Sequence, residues 1–202
     1  MRYAIFGDIH ANLEALEVVL ADAKASRVTH YCCLGDVVGY NANPRECLDI
    51  VRQMNCPIVK GNHDEQASND DDFEGINPLA SFAMQWTRDQ LSAEEKQYLR
   101  DLKMIRQVGA FTIVHATLDT PHRWGYVFDQ LAAAASFSYQ NTSICFLATR
   151  MCLWLSHGTP LCMGALGTLC ALSWAKSISS MWAVSVSPAM GIRKPPMRFM
   201  TR

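Results

Sequence analysis

Three short strings hold side chains that bind metal ions and move protons: Gly7-Asp8-Ile9-His10, Gly35-Asp36-Val37-Val38-Gly39 and Gly61-Asn62-His63-Asp64. Asp8 and His10 stand two apart, a spacing that puts both side chains of an extended segment on one side, so both can grip one cation. A carboxylate with an imidazole suits a borderline divalent metal such as Mn, Fe or Zn better than Ca. Asp36 adds a second carboxylate able to bridge two cations. Asn62, an amide oxygen donor, and the later His115 can complete part of a second ion's shell. Two such ions, roughly 3.5–4 Å apart, hold phosphate oxygens, lower the pKa of a bridging water and support in-line attack on phosphorus. His63 is placed beside Asn62 to give a proton or hydrogen bond to the phosphate or the leaving group.

Each string alone is a weak signal. A Gly-Asp pair is more often a turn, and a single His more often packs in a core or sits on a surface. Gly61-Asn62 makes a tight turn equally well, and Asp64 can cap the segment that follows. Their succession at strand ends is what sets them apart.

The elements that must position these residues alternate. Tyr3 to Gly7 is a short apolar run, and Ala11 to Ala25 has Leu13, Leu16, Val19 and Leu20 at helical spacing. Val28 to Leu34 reads as a second strand, Pro44 to Met54 as a helix with Pro in its first turn, and Pro57 to Lys60 as a third short strand. Such alternation predicts a mainly parallel sheet with ligands at the strand C-terminal ends, where all three strings fall. Pro78 to Arg88 and Ser92 to Leu102 are predicted helices, the second opened by a Ser92-Ala93-Glu94-Glu95 capping box. Met104 to Val108 and Phe111 to Val114 form a predicted hairpin around Gly109 that delivers His115 to a strand end. Asp129 to Phe137 is an Ala-rich helix, and Ser143 to Phe146 starts another strand.

At 202 residues the chain is long enough for one domain with a real core. A formal net charge of -1 gives no electrostatic reason to expect nucleic acid or an anionic membrane as partner. The eight cysteines follow a start, Met1-Arg2-Tyr3-Ala4-Ile5-Phe6, that reads as a strand and not a secretion signal, so reduced thiols in a cytoplasm are expected. The averages conceal a break. All 19 carboxylates lie at or before Asp129, and no charge of either sign occurs from Met151 to Ala175. Six of the ten methionines and three of the five tryptophans also fall beyond Arg150, as if two segments of different origin had been joined.

The first 146 residues resemble the calcineurin-like metallophosphoesterases, whose pattern is Asp-x-His, Gly-Asp, Gly-Asn-His-Asp/Glu, a lone His and Gly-His-x-His. Leu34 to Pro44 (LGDVVGYNANP) and Val114-His115-Ala116-Thr117 are similar to the small bacterial single-domain phosphodiesterase/phosphatase branch. The resemblance implies an α/β fold, a four-layer αββα sandwich with helices outside two facing sheets. It implies a metal-activated water and two divalent ions, Mn first, with Fe, Zn or Ni as alternatives. By the same resemblance Asp8, His10 and Asp36 serve one metal, Asp36, Asn62 and His115 the other, and His63 assists the chemistry. The implied substrate is a phosphorylated small molecule, a nucleotide or a phosphoprotein, and the stretch from Thr117 to Tyr126 can line its rim. There Arg123 or His122 would meet phosphate and Trp124 would stack on a base, although an ordinary surface loop anchored by Trp124 fits the residues equally well.

One part of the pattern is missing. Gly-His-x-His should follow the strand Ile144-Cys145-Phe146, but the chain reads Leu147-Ala148-Thr149-Arg150. The residues are compatible with a one-base slip of the reading frame. Leu147 to Leu155 can be coded TTG GCC ACA CGC ATG TGC CTC TGG CTT, and without its first two bases this reads Gly-His-Thr-His-Val-Pro-Leu-Ala. The same displacement turns Lys176 to Gly191 into a segment containing Asn-Val-Gly-Ser-Val-Gly-Gln-Pro-Arg, in which Met181-Trp182 forces the Val. Such a segment resembles the family's closing one. It would also account for the missing acids and the excess of Met. Residues 1–146 are then an incomplete metallophosphoesterase domain. Residues 147–202 are an out-of-frame tail with no domain of their own, and the C-terminal strands of the second sheet are missing or non-native. The literal chain is then expected to bind metal weakly and turn over little.

Taken at face value, the tail supplies less. The apolar run from Leu161 to Ala175 is shorter than the ~20 residues of a membrane helix, so no membrane is expected, and a membrane-tethered hydrolase is the least favoured reading. Nothing in the sequence places His157 beside His115. Cys152, Cys162 and Cys170 lack CxxC spacing, which argues against a structural zinc site. A non-catalytic binding or scaffold relative of the same fold is the alternative from another class, and equilibrium dialysis with Mn separates it from the enzyme.

Overall fold

The computed structural model describes residues 1–148 except 72, 74–76 and 128, together with the backbone of three short strands further on. In chain order come β1 (Tyr3–Gly7), α1 (Leu13–Ala25), β2 (His30–Cys33), α2 (Pro44–Gln53), α3 (Asn62–Ser68), α4 (Pro78–Gln90), α5 (Ala93–Asp101), β3 (Ile105–Val108), β4 (Phe111–Val114), α6 (Gln130–Ser138) and β5 (Ile144–Phe146). The strands beyond are β6 (Leu153–Trp154), β7 (Pro160–Leu161) and β8 (Met181–Ser185).

The fold is mixed α/β with two principal sheets. In the first, β1 lies between β2 and β8, parallel to both, with Tyr3 opposite His30 on one side and Met181 on the other. In the second, β4 runs antiparallel to β3 and parallel to β5. The β3–β4 turn is made by Gly109, whose φ of +57° places it in the left-handed region that glycine enters without Cβ strain. β6 and β7 pair with each other in an antiparallel ladder.

Strand alternation divides the core in two. Ile5 and Cys32 point to one face of the first sheet and meet Phe111, Ile113, Ile144 and Phe146 of the second, with Leu34 and Val59 completing that layer. Phe6 and Cys33 point to the other face and pack with Leu16, Cys47, Leu48, Val51, Met84 and Leu99 of the helices. Neighbouring residues of one strand thus fill two different layers, as the period of two requires.

Local signals set the helix starts. Asn12 accepts the Ala15 N–H in front of α1, and Pro44 opens α2. Ser92 and Glu95 form the capping box of α5, the Glu95 carboxylate accepting the Ser92 N–H at 2.7 Å. The predicted third strand does not form. Pro57–Lys60 contributes one parallel bridge, Ile58 to Cys33, because Pro57 has no N–H to donate and Lys60 turns its N–H to the Lys103 carbonyl. The second strand is also shorter than predicted, since the Val28 N–H is taken by Ala23 at the end of α1.

Among the described residues no helix is long and apolar enough to cross a membrane. The features named in the tail lie outside the described residues: the apolar run from Leu161 to Ala175 beyond its first residue, His157, and Cys152, Cys162 and Cys170.

Candidate metal centre

The two sheets place their loops at one edge. Asp8 and His10 leave β1, Asp36 leaves β2, Asn62 and His63 open α3, and His115 follows β4. Asp8, His10, Ala11 and Asp36 have φ between +49° and +56°, a conformation costly for non-glycine residues and concentrated here in the turns that aim the side chains. These turns are cross-tied. The Asp8 N–H donates to the Gly35 carbonyl, the His10 N–H to Asp36 and the Ala11 N–H to Val37.

Asp36 is the hub. Its Oδ2 lies 3.7 Å from His10 Nε2 and 3.4 Å from His115 Nε2, and its Oδ1 accepts the His63 N–H at 2.9 Å. Two sets of potential ligand atoms each fall within 4.8 Å of one another, His10 with Asp36 and His63, and Asp8 with Asp36 and His115. The structure thus brings Asp8 next to His115 and His63 next to His10, with Asp36 common to both groups. Asn62 occupies the first position of α3, between Gly61 and His63. Arg123 is exposed at the end of a 3-10 turn, Pro121–Arg123, directly before Trp124.

Glycine permits the close approach. A Cβ on Gly61 would lie 2.0 Å from Asp36 Oδ1, and one on Gly35, whose φ is +90°, would lie 2.5 Å from the Gly61 nitrogen. Asp64 then holds the hub from behind. Its Oδ2 accepts the N–H groups of Asp36 at 2.8 Å and Gly61 at 3.0 Å, and its Oδ1 accepts that of Val37 at 2.9 Å. The sequence suggests Asp64 only as a helix cap. It does cap α3, and the same carboxylate also organises the Asp36 loop 28 residues away, which no local pattern announces.

His115 Nδ1 is 2.6 Å from the Leu34 carbonyl, so it carries the proton of that bond and leaves Nε2 turned to Asp36. That arrangement is typical of a metal-binding imidazole fixed by an outer partner. His10 Nδ1 is buried with no hydrogen-bond partner. His63 Nδ1 rests 3.1 Å from Met84 Sδ. The rings of His10, His63 and Tyr40 stand 4.4–4.8 Å from one another, and the Trp124 ring is 6.0 Å from that of His115. Trp124 is held by its Nε1–H, which donates to Glu65 Oε2 at 2.9 Å.

Burial and mutual charge set the electrostatics of the site. Burial, with Asp36 nearby, pushes Asp8 up to about 7. Burial also opposes the charge on Asp36, but His115 and its hydrogen bond, then His63 and His10, outweigh it and hold Asp36 below the usual carboxylate range. His115 in turn is raised to about 9, Asp36 overriding the effect of burial. Burial lowers His10 to about 4 and lowers His63 as well. Buried carboxylates and imidazoles converging on Asp36, with His10 and His63 neutral and His115 protonated, fit divalent cations of the borderline class, for which His115 would give up its proton.

Comparison with known proteins agrees in extent and in kind. The family described as calcineurin-like phosphoesterase matches residues 1–131. An uncharacterised protein of Methanocaldococcus jannaschii is 36% identical over 129 residues, 62% of this chain and 53% of that protein. The crystal structure of a metallophosphoesterase from Sphaerobacter thermophilus superimposes with a TM-score of 0.62 at 41% identity, over 72% of this chain and 58% of the other. A hypothetical protein of Pyrococcus horikoshii shares the fold at 19% identity, with a TM-score of 0.65 over 74% of this chain and 69% of its own. The chain thus spans about half the length of the archaeal relative and somewhat more of the Sphaerobacter enzyme.

Proposed function

Because the chain belongs to the calcineurin-like phosphoesterase family, we propose that it is built to hydrolyse a phosphomonoester or phosphodiester with a water activated between two divalent metal ions. The observation that carries this reading is Asp36 Oδ2, a single anionic atom facing the Nε2 atoms of two imidazoles from separate ligand groups. Asp8, His10, Asp36, Asn62 and His115 would hold the ions, Mn first, with Fe, Zn or Ni as the others this donor set accepts. When bound, such ions supply Lewis acidity toward phosphate oxygens and a water of lowered pKa.

The chain's own residues do the rest. The Leu34 carbonyl keeps His115 in one tautomer, and Asp64 keeps the Asp36 loop closed on α3. His63, buried and therefore neutral near pH 7, offers an N–H to the phosphate or leaving group. Arg123, exposed beside Trp124, is the side chain assigned to the substrate phosphate. Free thiols at Cys32, Cys33, Cys47, Cys56 and Cys145 support a reducing, cytoplasmic setting.

The test is metal content and hydrolysis of p-nitrophenyl phosphate and bis(p-nitrophenyl) phosphate, before and after chelation, in parent and Asp36→Asn. Loss of both metal and turnover in the variant is expected. Turnover that survives chelation and Asp36→Asn alike overturns the reading.

The tail belongs to the same proposal. β5 runs parallel to β4 with Phe146 opposite Ile113, and the Ala148 N–H donates to the His115 carbonyl at 2.9 Å. The chain after Phe146 therefore emerges beside a candidate ligand, which supports the reading that Gly-His-Thr-His was encoded there and lost by a one-base slip. Sequencing the coding DNA from Ile144 to Trp154 on both strands decides it. A continuous frame spelling that string makes residues 147–202 an artefact. A confirmed present frame makes the missing ligands real.

A further inference from the structure

Two aromatic side chains flank the candidate centre, one beside each ligand group. Tyr40 stands 4.8 Å from His10 and 4.4 Å from His63, ring to ring, and Trp124 stands 6.0 Å from His115. Neither is among the ligands assigned above, and neither is part of the hydrolytic machinery. Tyr40 is nonetheless 43% exposed, and Tyr126, two residues beyond Trp124, is 45% exposed. Large aromatics left open beside candidate metal ligands expose apolar surface that a ligand can cover.

Both rings are held in place. Gly39 has φ +98° and Tyr40 has φ +64°, and Asn41 fixes the turn by donating its N–H and its Nδ2–H to the His10 carbonyl, at 3.2 and 2.8 Å. A Cβ on Gly39 would meet His63 and Met84 at 3.0–3.2 Å, so the turn presses directly on the histidine. Trp124 also has a left-handed φ, +54°, and is tied by its indole N–H to Glu65 of α3. A ring fixed in advance loses little freedom when a ligand stacks on it.

We infer that Tyr40 and Trp124 are specificity-determining walls that select phosphoesters carrying a planar aromatic group, of the nucleotide class, over esters of sugars or aliphatic alcohols. The inference rests on the phosphoesterase reading for the position of the phosphate, but the stacking surface itself needs no metal. Phosphorus chemistry alone does not distinguish one ester from another, whereas a planar base stacked on one of these rings adds a contact that a bare sugar phosphate cannot make. One stacked base changes affinity by about tenfold or more.

The test is calorimetric binding of adenosine 5′-monophosphate, ribose 5-phosphate and adenosine to the whole chain, with and without Mn. The nucleotide is expected to bind at least about tenfold more tightly than ribose 5-phosphate. Tyr40→Asn removes the ring while tolerating the left-handed backbone, and should abolish most of that preference. Tyr40→Phe should keep it, and Trp124→Asn should reduce it, with Mn binding unchanged in all three. Equal affinity for the two phosphates in the parent, or a preference untouched in both Asn variants, overturns the inference. Failure of the metal reading looks different: phosphate binding would then not depend on Mn, while adenosine would still bind and still lose affinity in Tyr40→Asn.

Discussion

Asp36 accepts contacts from His10, His63 and His115 because Gly61 offers no side chain to keep it away. Gly61→Ala would put a methyl group 2.0 Å from Asp36 Oδ1, so either the loop or α3 must shift. A loss of about 1–3 kcal/mol in urea unfolding is expected, together with weakened metal binding. Asp64→Asn leaves the hub in place but turns an amide donor toward backbone N–H groups, and should lower metal affinity about 10–100-fold, read by equilibrium dialysis. Metal-free stability should fall as pH rises above 6.5. His115 has its folded pKa raised above 6.5, so the stability it contributes is complete below 6.5 and is lost as pH climbs through about 9. Asp8, raised by burial and Asp36, acts in the same direction between 3.8 and about 7, because the unfolded carboxylate ionises first. Below 6.5 the lowered pKa values of His10 and His63 oppose Asp8, so thermal melts in chelator should show a midpoint declining from pH 6.5 to about 9, which His115→Gln should flatten.

Helix α5 shows how an element far from the centre supports it. Its capping box joins Ser92 to Glu95, and Glu95 also accepts from Arg45 of α2 at 3.0 Å, while Arg100 donates to the Ser68 carbonyl at the end of α3. The pair with the exposed Arg45 contributes little by itself, and the cap contributes more. Burial opposes charge on Glu95, but the Ser92 bonds and Arg45 outweigh it and lower its pKa. Its contribution is thus present above about pH 4.5 and disappears as pH falls below that value. Glu95→Gln is expected to cost about 1 kcal/mol at neutral pH, and the difference from parent should vanish in acid. This helix start was legible because a capping box is local. So were α1, α2 and the β3–β4 hairpin, each marked by a cap, a proline or a glycine within a few residues. The third strand was not, since its apolar residues satisfy a strand pattern while Pro57 and the distant Lys103 carbonyl limit it to one bridge.

At the scale of the whole molecule, the centre exists only because two sheets converge. Asp8, His10 and Asp36 come from the first sheet, His115 from the second, and the apolar layer of Ile5, Leu34, Ile113 and Phe146 fixes the distance between them. Metal binding should therefore stabilise the fold as a unit. Mn at 100 times its dissociation constant should add about 2.7 kcal/mol, seen as a rise in melting temperature that chelation reverses. A frame-restored chain should exceed the literal one in both this shift and phosphoesterase turnover, and equal turnover in the two would contradict the reading of the tail. By itself the sequence determined the order β1, α1, β2, α2 and the strings that follow β1 and β2, because these depend on period, caps and prolines within short windows. Only the tertiary structure decided that Asp8 groups with His115 and His10 with His63, that Asp64 secures the hub and that Tyr40 and Trp124 flank it. Those relations join residues tens of positions apart, through backbone turns whose left-handed geometry no local pattern of side chains encodes.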